Sequence, residues 1–552
     1  MAIARHFVTI GSRQVHYRRA GDGPVLLMLH ASLNTSATFL PLIGPLADDY
    51  TVIAMDTPGY GLSDVLGSEP PEIEDYADGV IEFMDALGLQ RVALYGMLTG
   101  AMIGVDLATR YPQRFAAVIL NTMLVHTDAE LKEFVDKFTP PMPERWDGLH
   151  LVQAWDLMRR NAIAYPWFEP GPETRFNLPM PSPDELHLRL MNCLSAGAHY
   201  SWGAKAAFRF LRRASIVDMA VPTVFFSDRS QPFGAHGDRL APLPEGGRVH
   251  RFDDWDRLPA EITAVLKGLP VAEPAPAAPS AVPIAGTFTS RCVGGETEQI
   301  HVRQCREGHG RPVLLLHGAG GEARLMERYA HSLLGQRPVI AMDLPGHGES
   351  SPWPEDANPI AAVTHRIQLA LSELEVEAAD VFAVECGAAV AFALAERNPE
   401  QIRFIAWNEV LYPDASELPA WRDNYCPDIE PDHHGGYLLQ AWGFLRDQDL
   451  YSPWFDKRAA NIVWDSPART LERQTLRAVA LLKAIPALSA IYSLGFDARW
   501  RGILEDGAVN ARMCTFAKDP SAGQARAVAR VLGHAATPLS QDESDWVAQA
   551  LI

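Results

Sequence analysis

The chain has 552 residues, 47% of them hydrophobic and 21% charged, with a formal net charge of −20. That length exceeds what one hydrophobic core organises, so at least two domains are expected. The acidic balance excludes a nucleic-acid partner, because phosphate binding needs clustered Lys and Arg. The six cysteines, at positions 193, 292, 305, 386, 426 and 514, lack metal-ligand spacing and fit a reducing compartment better than a disulfide framework. The opening "MAIARHFVTIGSRQVHYRRAGDGP" has no apolar run of signal-peptide type, and no stretch reads as able to cross a bilayer. A cytoplasmic protein without a membrane partner is expected.

In chain order, short β-branched and apolar runs alternate with helical patterns. The first half reads "PVLLMLH" to His30, "TVIAMD" to Asp56, "RVALYG" to Gly96, then "AAVIL" and "PTVFF". Such alternation predicts an α/β fold with a mostly parallel sheet flanked by helices. A long helical insertion with Trp155 and Trp167 lies between the fourth and fifth runs, where a cap is expected. Next comes "LPVAEPAPAAPSAVPIAG", Leu269 to Gly286, low-complexity Pro/Ala chain that reads as a semi-extended linker. The expected boundaries are a domain over 1–269, a linker over 270–285 and a domain over 286–552. The second half then runs "PVLLLH" to His317, "PVIAMD" to Asp343, "VFAV" to Val384, "IRFIAW" to Trp407 and "RMCTFA" to Ala517.

The halves are copies of each other. His30 and His317, Asp56 and Asp343, Trp155 and Trp442, and Trp167 and Trp454 each stand 287 positions apart. A constant offset through so much chain means one fold duplicated with few insertions, and a repeat of this size is a whole domain. The expectation is two tandem domains arranged as an internal pseudo-dimer.

Four features carry a resemblance: the strand ending in "LLLHGAGG", the "AMDLPGHGES" loop, the strand–turn–helix "ADVFAVECGAAVAFALAERNP", and a late "LGH". Both halves resemble capped α/β-hydrolase domains. The resemblance implies a nucleophile at the turn, or elbow, with the next backbone N–H forming half of an oxyanion hole. The other half comes from a backbone N–H after the His-Gly strand end, and an acid and a base follow later in the chain. It implies hydrolysis, or related lyase chemistry, on a small organic substrate. Fold alone fixes no reaction, and a non-catalytic binding or scaffolding protein is the alternative.

The elbow of the second half falls at Glu385, and the offset puts that of the first half at Leu98, in "LYGMLTGAMIG". An alkyl group neither attacks nor takes a proton, so the first half is expected to be silent. Its acid position falls at Asp228 or Ser230, and "GRVHRFDDWDRLP" shows Trp255 where a base belongs, with His250 inside a strand. Cys386 is the rival nucleophile, but the turn wants small residues two before and two after its central position. Ala383 and Gly387 meet that need around Glu385; Val384 would violate it around Cys386. The turn amides and helix N-terminus are expected to let Glu385 ionise readily. The resemblance implies His534 as base, and Asp519 or Glu409 as acid. It also implies oxyanion donors on Cys386 and on Gly318 or Ala319. His317, Tyr437, Trp442 and Trp454 are candidate pocket walls, although aromatics at helical spacing are more often core. No metal cluster, phosphate loop or dinucleotide fingerprint is present, so no cofactor is expected.

Overall fold

A computed structural model of the protein describes residues 2–210, 216–356, 358–409, 411–464, 470–506, 509–516, 528, 532, 535–540 and 542–551. The apolar runs form the middle of two sheets, one in each half. The first half contributes β1 (Ala4–Ile10), β2 (Arg13–Ala20), β3 (Val25–Leu29), β4 (Thr51–Met55), β5 (Val92–Met97), β6 (Phe115–Asn121), β7 (Thr223–Asp228) and β8 (Arg248–Phe252). The second contributes β9 (Thr289–Val293), β10 (Ile300–Cys305), β11 (Val313–Leu316), β12 (Val339–Met342), β13 (Ala379–Val384), β14 (Ile402–Asn408), β15 (Ala511–Phe516) and β16 (Thr537–Leu539).

Both sheets have eight strands in one topology. The order is β1-β2-β4-β3-β5-β6-β7-β8 in the first and β9-β10-β12-β11-β13-β14-β15-β16 in the second. β2 and β10 run antiparallel to both of their neighbours, and the remaining pairs are parallel. Central strands covered on both faces bury side chains of both faces, and in β3 every one is buried. Along β3, Leu27 and Leu29 join one core cluster while Leu26 and Met28 join the other. These are tandem α/β-hydrolase-like domains.

The chain divides into two units, Met1–Pro143 with His150–Val282, and Glu144–Leu149 with Pro283–Ile552. Much of the Pro/Ala stretch is fastened to the first unit. Val25 N–H donates to Glu273 O (2.9 Å), Glu273 N–H to Arg91 O (3.0 Å), and Arg19 to Pro276 O (2.7 Å). Ala272 is buried in the first core. Proline-rich chain has no ladder of its own, and here it borrows the strand-start carbonyls and amides of the sheet.

One reading of the sequence is corrected. The run Leu471–Gly495 is long and apolar enough to cross a membrane by length and composition, and 61% of its most apolar stretch is buried within the fold. It forms helices Leu471–Ala484 and Leu488–Gly495, and the second of these packs against the elbow helix Gly387–Arg397.

Chain direction across each sheet reverses between β3 and β5, and between β11 and β13. A crevice at the carboxyl ends of such strands is where open α/β sheets place their sites. Glu385 follows β13 and Ala319 follows β11, one on each side of that reversal.

Candidate active site

β13 ends at Val384, and helix Gly387–Arg397 begins two residues after it. The single residue that turns the chain is Glu385, at φ 52°, with its N–H held by Asn408 O at 3.0 Å. A left-handed conformation is costly for a residue with a Cβ, on the order of 1–3 kcal/mol, and persists only where the surroundings enforce it. Here they do. A Cβ on Gly387 would lie 2.5 Å from His317 O, so the helix starts against the strand backbone only because that position is glycine. The turn therefore projects the Glu385 side chain over the ends of β11 and β13.

Its carboxyl folds back onto the neighbouring loop. Ala319 N–H donates to Glu385 Oε2 at 2.8 Å. A Cβ on Gly318 would stand 2.4 Å from that oxygen, so glycine there opens the seat. Burial and the charge of Glu409 push the Glu385 carboxyl up to about 8, against the pull of the Ala319 and Cys386 N–H groups and of Arg477. The expectation of ready ionisation fails. Two amides are outweighed by desolvation and a second carboxylate.

Glu409 follows β14, the strand beside β13, and also turns the chain at positive φ (53°). Helix Leu488–Gly495 closes over the elbow, where a Cβ on Gly495 would lie 2.5 Å from Cys386 Sγ. Tyr492, one turn earlier, is 2% exposed. Its hydroxyl is buried with no hydrogen-bond partner among the described residues. The Tyr425 ring meets the Tyr492 ring edge-on at 5.4 Å. Burial, then the charge of Glu385, pushes both phenols well above their ordinary value. The Cys386 thiol is buried and is pushed up by the same two causes. It packs beneath Gly495.

Residues 24–154 and 311–492, together more than half of the chain, match the alpha/beta hydrolase fold family. The chain belongs to that family. It is 29% identical over 157 residues to a 2-(acetamidomethylene)succinate hydrolase of Mesorhizobium japonicum, a stretch covering 27% of this chain and 55% of that protein. It is 34% identical over 110 residues to a 2-hydroxy-6-oxo-6-phenylhexa-2,4-dienoate hydrolase of Comamonas testosteroni, covering 19% and 38% respectively. The matches thus span about half, or less, of the length of these relatives. Among solved structures, E-2-(acetamidomethylene)succinate hydrolase aligns with 48% of this chain and 97% of its own, at 25% identity and a TM-score of 0.36.

Of the residues expected to serve an α/β-hydrolase site, Glu385, Glu409, Gly318, Ala319 and Cys386 converge at the elbow. His534 and Asp519 lie outside the described residues. His317, expected as a pocket wall, commits both ring nitrogens to backbone. Nδ1 meets Gly318 O (2.7 Å) and Nε2 accepts from Leu344 N–H (2.9 Å), and burial lowers its pKa. It is a neutral strut between two loops. Trp454 is also a strut, donating Nε1–H to Tyr425 O at 2.9 Å. Trp442 donates to Trp146 O (2.9 Å) within the same unit, and Tyr437 is buried in the cap helix Gly436–Leu450. Tyr425, Arg477 and Tyr492 were not picked out from sequence. The repeat carries a signal for the first of these: Tyr425 stands 287 positions after Phe138, whose carbonyl accepts from Trp167 Nε1–H at 3.0 Å.

The first unit keeps the family's elbow and fills it with apolar groups. Leu98 holds φ 51° and packs on a cluster of Leu124, Phe134, Tyr165 and Phe208. Ser32 N–H, the counterpart of Ala319 N–H, donates to Thr99 Oγ1 at 3.2 Å. Asp228 ends β7 and accepts from Trp255 Nε1–H at 2.6 Å, so an indole takes the hydrogen bond that a triad gives to histidine. His250 lies within β8, its Nε2 3.0 Å from Glu261 Oε2.

Proposed function

We propose that the protein is a hydrolase of small organic substrates whose second unit carries the site and whose nucleophile is the Glu385 carboxylate. The observation that carries this reading is the placement of Oε2 on Ala319 N–H, 2.8 Å away, at a left-handed elbow. With Oε2 seated, Oε1 is the oxygen left to attack. Its lone pair forms a bond to the electrophilic carbon of the substrate and the leaving group departs with its electron pair, giving a glutamyl ester. Water then adds to Cδ, giving up its proton to a base, for which His534 is the sequence candidate. The oxyanion formed on Oε2 already faces the amides of Ala319 and Cys386, and its collapse frees the product and restores the carboxylate. Burial, reinforced by the charge of Glu409, keeps the resting Glu385 carboxyl protonated near neutrality, so turnover requires its anion.

The names of the relatives favour hydrolysis of small molecules. A second reading, a non-catalytic binding protein, is favoured by one observation: the carboxyl occupies the oxyanion seat itself. A substrate panel followed by one turnover in heavy-oxygen water separates the two. Mass spectrometry of the peptide bearing Glu385 should show one heavy oxygen in its side chain. Turnover without that label would make Glu385 a base rather than a nucleophile, and no turnover across the panel would favour the binding reading.

A further inference from the structure

We infer that the second unit also exchanges a proton at the carbon beside a ketone carbonyl, with Glu385 Oε1 as the base and the Tyr492 hydroxyl as donor to the enolate oxygen. The inference rests on the same placement of Glu385 as the hydrolase reading but needs neither His534 nor a leaving group.

Three observations place the parts. The carboxyl is fixed by one oxygen, since Ala319 N–H holds Oε2 at 2.8 Å, so its other oxygen has a set direction. Helix Leu488–Gly495 meets the elbow closely enough that a Cβ on Gly495 would strike Cys386 Sγ at 2.5 Å. Tyr492, three residues before Gly495, occupies the same helix face. Among the described residues its buried hydroxyl has no hydrogen-bond partner. A buried hydroxyl left unpaired is costly, and the cost disappears when a ligand oxygen accepts its hydrogen bond. An oxygen acceptor near Glu385 is therefore the group that completes this site.

The chemistry balances without a cofactor. The C–H electron pair of the substrate becomes the enolate π bond, the proton moves to Oε1, and the carbonyl oxygen gains charge against the Tyr492 O–H. Reversal returns a proton, or a deuteron once the carboxyl has exchanged with solvent. The raised pKa of Glu385, about 8, suits the task, because a carboxylate that holds its proton more tightly is the stronger base toward carbon.

The test uses the full chain and phenylacetone, a ketone with no bond to hydrolyse, in deuterated buffer, with loss of the proton signals beside the carbonyl followed by NMR. Wild-type protein should exchange them above the buffer rate, Glu385→Gln should lose at least ~10²-fold, and Tyr492→Phe should lose about 10-fold or more. Tyr492→Phe removes a hydroxyl with no partner among the described residues, so it keeps the fold and decides the matter if the glutamine variant does not. No exchange above buffer by folded wild-type protein, or unchanged exchange in Tyr492→Phe, overturns the inference. Hydrolysis of panel substrates in the same preparation reports separately on the hydrolase reading.

Discussion

The two halves differ at the positions where chemistry would occur, and the differences point one way. At matched positions the first half has Leu98, Thr122, Phe138 and Ser32, and the second has Glu385, Glu409, Tyr425 and Ala319. The supporting frame is unchanged. Both elbows hold φ near 50°, and both residues after β6 and β14 do so as well, Thr122 at 55° and Glu409 at 53°. The same indole bond braces Phe138 in one half and Tyr425 in the other. A duplicated frame is therefore dressed twice: once with apolar groups that pack, once with titratable groups in a poorly solvated crevice. Strain at an elbow is costly whether or not it is used, and its retention in the first half shows that the frame, not the chemistry, holds it there.

The sharpest way to test the difference is to remove the charge in the second half. If the second unit turns over a substrate, Glu385→Gln should lose at least ~10²-fold in rate, the scale for a positioned nucleophile or base. The wild-type rate should climb with pH and level off above about 8, where the carboxyl pushed up by burial and Glu409 becomes an anion. Glu409→Gln removes one of those causes and should move the inflection to lower pH. A pH-independent wild-type rate would break the link between the carboxyl pair and the reaction.

The same carboxyl leaves a signature in stability. Its ordinary value is 4.5 and its folded value about 8, so between these the folded state holds a proton that the unfolded state has lost. Folded-state stability therefore declines as pH rises through that window. Glu385→Gln does not titrate and should melt higher than wild type by a few degrees at about pH 9. The gap should close at about pH 4. Melting curves across this range decide it, and a gap that does not change with pH would place the carboxyl in contact with solvent.

In the first half the test is to restore a nucleophile. Leu98→Ser puts a hydroxyl on an elbow that is already formed, yet no labelling by a serine-directed phosphonate is expected. A serine needs a base, and Asp228 is paired with Trp255 instead of a histidine. His126 lies among the same aromatic rings, but burial lowers it to about 4 and its Nε2 lies 3.0 Å from the Tyr165 hydroxyl. A labelled serine would make His126 a working base and end the claim that this half is silent.

Much of this was legible in the sequence, for physical reasons. Central parallel strands are buried on both faces, so they read as unbroken apolar runs, and five were visible in each half. The antiparallel edge was not, because β2 ("RQVHYRRA") and β10 ("IHVRQC") carry polar residues that hide their period. Glu385 was legible as an elbow from its small flanks and from the offset. Its protonation was not, because that depends on Glu409, which is remote in sequence and brought close by the pairing of β13 with β14. Tyr492 sits in an ordinary helical pattern, "LSAIYSLG"; only the close approach of Gly495, on the same helix, to Cys386 brings it toward the elbow. Trp442 and Trp454 were legible as cap aromatics, but the carbonyls that their indole N–H groups brace, on Trp146 and Tyr425, were not, because folding alone brings them near.

The smallest expected effect exchanges one packing detail between the halves. Asn121 and Asn408 close β6 and β14 at matched positions, and both are fully buried. Asn121 Nδ2–H donates to the Tyr95 hydroxyl at 2.6 Å. The residue matched to Tyr95 is Phe382, and both Asn408 amide atoms are buried with no partner among the described residues. A buried polar group left unpaired costs about 1–3 kcal/mol, and a new neutral hydrogen bond returns about 0.5–1.5 kcal/mol. Phe382→Tyr should therefore raise the melting temperature of the second unit by roughly 2–4 °C per kcal/mol gained. The reverse change, Tyr95→Phe, should lower that of the first by a similar amount. The Phe382 ring stands 5.9 Å from that of Tyr329, so an added hydroxyl that struck Tyr329 would lower the melting temperature instead. That outcome would show that the two frames have diverged in the core as well as at the elbow.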